Sequence, residues 1–158
     1  MSTIYQLLNE YAESHQNKTN KVIHWICVPL IILSLLGILD LIQFPDDGFL
    51  GVNSWAMVVF LLAIGYYFYL TPRLGIAMVV ILRAMVWLVE EINKSPELIT
   101  GVPHLYFWIG IFVLAWIGQF VGHKFEGKKP SFFKDLQFLF IGPLWLLSFI
   151  YQKLKIKY

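Results

Sequence analysis

Four stretches of the chain, 22–39, 52–70, 74–89 and 102–121, are apolar over close to the length at which a helix crosses a bilayer. About 20 residues of α-helix span the ~30 Å hydrocarbon core, and helix is the only open-ended backbone that satisfies its own hydrogen bonds there. A fifth stretch, 136–151, is interrupted by Gly142-Pro143 and reads either as a full crossing or as a kinked, re-entrant helix. Charged residues make up only 14% of the chain against 58% hydrophobic, and the mean hydropathy is +0.67. That is too little polar surface to coat a water-soluble globule. The expected fold is all-α: a polytopic membrane helix bundle with four to five membrane segments and an N-terminal amphipathic helix, in a single integral membrane domain over residues 1–158.

Residues 1–21 are polar and lack the apolar core of a signal peptide. Ile4, Leu7, Leu8 and Tyr11 recur at helical spacing, with Glu10 and Glu13 on other faces, so 1–15 reads as a short amphipathic helix lying on the membrane. The stretch 16–20 ends it and offers Asn and Thr side chains to cap the next helix. Thr71-Pro72-Arg73 is short enough to force its two flanking segments into a tight antiparallel pair, whereas Asp46-Asp47-Gly48 and 90–96 read as acidic loops.

Basic residues set the orientation. Lys18, Lys21, Arg73, Lys124, Lys128, Lys129 and Lys134 fall on one side of a four-span topology and Lys94 on the other, which assigns the lysine-rich side to the cytoplasm. Lys153, Lys155 and Lys157 obey the same rule only if the fifth segment does not cross, which favours a re-entrant or interfacial course. The net charge of +2 is too small to point to nucleic acid. The single cysteine, Cys27, excludes an internal disulfide and reads as a small buried hydrophobe.

Chemistry concentrates at the histidines. His15 closes the amphipathic helix and His24 opens the first membrane segment, with a turn between that can fold them together. Gln119, His123 and Glu126 stand at i, i+4 and i+7, on one face of the fourth segment as it returns to the lysine-rich boundary. Three imidazoles and a carboxylate at one membrane depth, with coordination positions left open, suit iron(II) or zinc. The plainer alternative is that these polar side chains only solvate helix ends. His104 precedes His123 by 19 residues, about 28 Å of helix at 1.5 Å per residue, so it reads as a polar residue at the opposite interface. Arg83 is the one charge between 74 and 89. It is a candidate for function by its depth, but pairing with Glu90 or Glu91, or stacking on Trp87, explains it structurally.

Two stretches carry a resemblance: His15-x4-Asn20-x3-His24-x4-Pro29, and Trp116-Ile-Gly-Gln119-Phe-Val-Gly-His123-Lys-Phe-Glu126-Gly-Lys-Lys-Pro130. Together they resemble the 2-hydroxy fatty acid dioxygenase family. The resemblance implies an Fe(2+)-dependent enzyme that takes a long-chain 2-hydroxy fatty acid and dioxygen to a fatty acid one carbon shorter with release of carbon dioxide. It implies metal ligation by His15, His24 and His123, with Glu126 as a fourth ligand or an orienting partner and Gln119 and Asn20 as hydrogen-bonding support. Membrane lipid surrounds such an enzyme, in a bacterial inner membrane or the endoplasmic reticulum. Ser131-Phe132 after Pro130, and the lack of an acidic residue near Ser148, depart from the family pattern. Three other readings compete. A di-iron hydroxylase needs more ligands than these residues supply, a haem protein would use His24 and His123 axially, and a non-enzymatic membrane protein or transporter would use Arg83 as its pathway residue.

Overall fold

The computed structural model describes residues 4–45, 52–97, 101–127 and 138–157. Asp46, Asp47, Gly48, Lys128, Lys129, Pro130, Ser131, Phe132 and Lys134 lie outside the described residues. Six helices form, and no strand is found among the described residues: α1 Ile4–Glu13, α2 Lys18–Asp40, α3 Trp55–Leu70, α4 Pro72–Lys94, α5 His104–Glu126 and α6 Ile141–Lys153. Three of them, α2, α4 and α5, have 23 residues and are long and apolar enough to cross a membrane. Helix α3 is apolar but has only 16 residues.

Each boundary has a local cause. Asn17 caps α2, its side chain accepting from the Thr19 and Asn20 amides. Thr71 is extended and Pro72 opens α4 at the position where a missing N–H costs nothing, so α3 and α4 pair as the short turn requires. Gly127 ends α5 in the left-handed conformation, with φ 70°, that glycine adopts without strain. Two expectations change. The acidic stretch from Glu90 to Lys94 continues α4 instead of forming a loop, since Glu favours helix and Asn93 is held inside the bundle. Gly142-Pro143 does not break the fifth segment but lies in the first turn of α6, where proline is tolerated.

The closest helix pair is α2 with α5. Gly37 lies against the Trp108 ring, Gly118 against Cys27, and Gly122 against Asn20 and His24, so ten residues back along α2 match ten residues forward along α5. This is the register of a straight antiparallel pair, drawn close by small residues. At the far end from the lysines the register is held by buried polar groups. The Asp40 carboxylate accepts from Ser54 Oγ at 2.8 Å and from Asn93 Nδ2 at 2.9 Å, and Trp108 Nε1 donates to Asn93 Oδ1 at 2.7 Å.

Helix α1 turns Ile4, Leu8 and Tyr11 into the protein, where they pack with Leu144, Trp145 and their neighbours of α6. Its apolar stripe is therefore covered by the bundle itself. Helix α6 begins beside Tyr11 and Val28 and ends where the Tyr151 hydroxyl donates to the Arg73 carbonyl at 3.1 Å. Its 13 residues thus stay in the lysine-rich half of the bundle, bringing Lys153, Lys155 and Lys157 to the same end as Arg73. Arg83 pairs with Glu90 at 3.9 Å and is half exposed, which is the structural role weighed for it.

Candidate metal centre

The turn between α1 and α2 sets up the site. His15 follows the last turn of α1, and its Nδ1 lies 2.6 Å from the Tyr11 carbonyl oxygen. His24, one turn into the buried face of α2, places its Nδ1 2.9 Å from the Asn20 carbonyl oxygen. A carbonyl oxygen only accepts, so each Nδ1 carries the proton. The two Nε2 atoms then face each other at 2.9 Å, a spacing that serves either a proton shared between them or a cation bound to both. Two unprotonated ring nitrogens held that close repel unless a proton or a metal cation lies between or beside them. Two ligands at ~2.1 Å from one ion and at right angles to it are about 3 Å apart, so the spacing fits adjacent coordination positions.

Helix α5 brings the third imidazole. The His123 ring lies 5.1 Å from that of His24 and 5.3 Å from that of His15, centre to centre. One nitrogen from each of the three falls within 4.8 Å of the others, and all three residues are buried. The cluster fits a single metal ion on donor type, tautomer and spacing. Its walls are aromatic: Tyr11 stacks on His15 at 4.1 Å with the planes 7° apart, and Trp145 closes at 5.3 Å. That packing fixes the His15 ring and keeps bulk water from the donor atoms.

Glu126 reaches the site through the backbone. Its carboxylate accepts from the amides of Gln16 at 2.7 Å and Asn17 at 2.9 Å, and from Asn20 Nδ2 at 2.9 Å. It clamps the α1–α2 turn to the end of α5 and so holds His15 and His24 against His123. Asn20 is fully buried; its Nδ2 also donates to the Ser14 carbonyl at 3.2 Å, while its Oδ1 has no partner. Gln119 is buried and lines a cavity of about 20 Å³ together with His24, Trp116, Tyr11 and Val28. The structure therefore brings His15, His24, His123, Asn20, Gln119 and Glu126 to one end of the bundle. His104 is apart, at the first residue of α5, buried and with its Nε2 unpartnered. Sequence reasoning passed over Tyr11, whose carbonyl and ring both hold His15. Its position four residues before His15, on the apolar stripe, was the available signal.

The family model described as 2-hydroxy-palmitic acid dioxygenase Mpo1-like matches residues 1–154. The chain belongs to this Mpo1-like family. A curated relative, the 2-hydroxy-palmitic acid dioxygenase MPO1 of Saccharomyces cerevisiae, is 28% identical over 145 residues, covering 89% of this chain and 75% of the relative. No solved structure matches the chain at a significant level. The matched span includes all three histidines of the cluster together with Glu126.

Proposed function

We propose that this Mpo1-like protein is an iron(II)-dependent dioxygenase that performs α-oxidation of long-chain 2-hydroxy fatty acids at the cytoplasmic face of its membrane. The observation that carries the reading is the approach of the His15 and His24 Nε2 atoms to 2.9 Å, preset by main-chain carbonyls, with the His123 imidazole beside them in one buried cluster. The overall reaction balances as written: a 2-hydroxy acid and dioxygen give the acid one carbon shorter, carbon dioxide and water. Four electrons leave the substrate and four reduce dioxygen, so no further reductant is required.

Iron held by His15, His24 and His123 would supply Lewis acidity and one-electron access to dioxygen, with positions left open for the polar end of the substrate. The protein's part is to prepare that site. The Tyr11 and Asn20 carbonyls fix both imidazoles in the ligating tautomer, Glu126 holds the turn that carries them, and Gln119 faces the small cavity beside His24. The competing readings fit less well. A haem plane between His24 and His123 would need the space where His15 Nε2 lies and far more than the roughly 20 Å³ cavity at His24. Pairing with Glu90 gives a structural role to Arg83, the residue on which a transport pathway was drawn.

The test is to supply detergent-purified protein with iron(II), air and 2-hydroxypalmitate and to follow the fifteen-carbon acid by mass spectrometry. Product from wild type and none from His123→Ala, with iron content falling in the variant, is the expected result. Wild type that binds iron and makes no product overturns the reaction.

A further inference from the structure

A second cavity opens on the adjacent face of α2. It is walled by α2 from Trp25 to Ile32, by α4 from Met78 to Met85 and by α6 from Pro143 to Ile150. Its volume is about 130 Å³ and almost every atom that lines it is apolar. Each wall spans eight residues, seven steps of rise and about 10 Å of helix. A cavity near 150 Å³ accepts a benzene-sized solute, so this one takes a stretch of about six carbons. It is half open at the bundle surface, where Ile81 and Ile150 are exposed, so a longer chain would pass from it into lipid.

Its relation to the metal centre gives it meaning. Val28 lines both this groove and the small cavity that contains His24 and Gln119, and Gly142 lines the small cavity where its neighbour Pro143 lines the groove. Val28 is one helical turn from His24. The partition between polar centre and apolar groove is thus one side chain and one peptide thick. An amphiphile with its polar end at the three histidines meets Val28 a few carbons along and then enters the groove.

We propose that the groove between α2, α4 and α6 binds the acyl chain of the substrate, with Val28 as the threshold between head and tail. The assignment rests on the 2-hydroxy fatty acid reading above, and it selects one of two tracks. A smaller apolar cavity of about 40 Å³, bounded by Val59, Ala63 and Tyr67 of α3, shares Leu139 with the metal-side cavity and has no lining residue within a turn of His24 among the described residues. The larger groove, one turn from His24, is the better receiver.

The experiment uses 2-hydroxypalmitate carrying a mid-chain diazirine, photolysed on the full-length detergent-purified protein and mapped by mass spectrometry, with unlabelled 2-hydroxypalmitate as competitor. Competable labels on the α4 segment from Met78 to Met85 or on α6 near Ile150 are expected. Ile81→Trp, which fills the groove from its exposed edge, should cut that labelling at least five-fold and leave iron content unchanged. Labels on α3 around Ala63, no competable label, or labelling untouched by Ile81→Trp would each overturn the groove. Labelling needs no turnover, so groove labelling without product sinks the dioxygenase alone, and product with labels on α3 sinks the groove alone.

Discussion

His15 and His24 meet Nε2 to Nε2 at 2.9 Å, although each has its other ring nitrogen bound to the carbonyl four residues earlier in the chain. The contact is preset by backbone. Tyr11 and Asn20 stand four residues before the rings they orient, so the helix repeat itself delivers the carbonyls. The turn between the helices then points one ring at the other.

Removing one imidazole should abolish tight metal binding. His24→Ala is expected to lower iron affinity more than 10-fold, beyond the lower end of what loss of an outer partner costs, and to leave the helical content intact. His104→Ala, at the far end of α5, should keep full iron stoichiometry. Metal analysis after gel filtration, with circular dichroism on the same samples, decides both.

Glu126→Ala strands three donors, the amides of Gln16 and Asn17 and the Asn20 side chain. Water reaches part of this clamp, so the stability cost is set near the low end of the 1–3 kcal/mol range, about 1 kcal/mol. Iron affinity is expected to drop about 10-fold or more, as for other residues that position ligands. A melting curve and an iron titration separate the two effects; unchanged affinity would mean that the turn holds without the clamp.

Glycine substitutions on the α2–α5 interface should divide by depth. A Cβ at position 122 would lie 2.5 Å from Asn20 Oδ1, so Gly122→Ala should displace Asn20, whose carbonyl orients His24 and whose side chain meets Glu126, and so reduce iron binding. A Cβ at 37 would enter the Trp108 ring, so Gly37→Ala should cost about 1–3 kcal/mol by overpacking and leave the iron site filled. Equal iron loss in both variants would show that α2 and α5 shift as one rigid pair.

Asn93→Ala breaks the far-end network, leaving Trp108 Nε1 without its acceptor and Asp40 with one fewer donor. Unsatisfied buried groups of this kind cost about 1–3 kcal/mol each, so the melting temperature should fall clearly. Activity per folded molecule should be unchanged, since Trp108 and His123 lie at opposite ends of α5.

The residues differ in how far sequence could read them. Depth along the bilayer follows from counting residues, and on that basis His15, His24, Gln119 and His123 fall together at one boundary. The antiparallel register of α2 and α5 then turns shared depth into contact. Glu126 was legible as a neighbour of His123 but not as a clamp, because two of its three partners are backbone amides 109 and 110 residues earlier and every residue type but proline carries one. The Asp40–Ser54–Asn93–Trp108 network was not legible at all, since its members are single residues on α2, α4 and α5 and in the connection between α2 and α3.

Sequence alone determined that the chain crosses a membrane as helices, which end carries the lysines, and which three imidazoles share a level. Each of these depends on local hydropathy, charge or helical rise. Tertiary structure decided which way the rings face, that α6 stays within one half of the bundle, and that α1 turns its apolar stripe onto protein. Those outcomes depend on the rotation of each helix about its own axis. Rotation is fixed by side-chain fit between elements far apart in the chain, of which glycine against tryptophan at 37 and 108 is one instance.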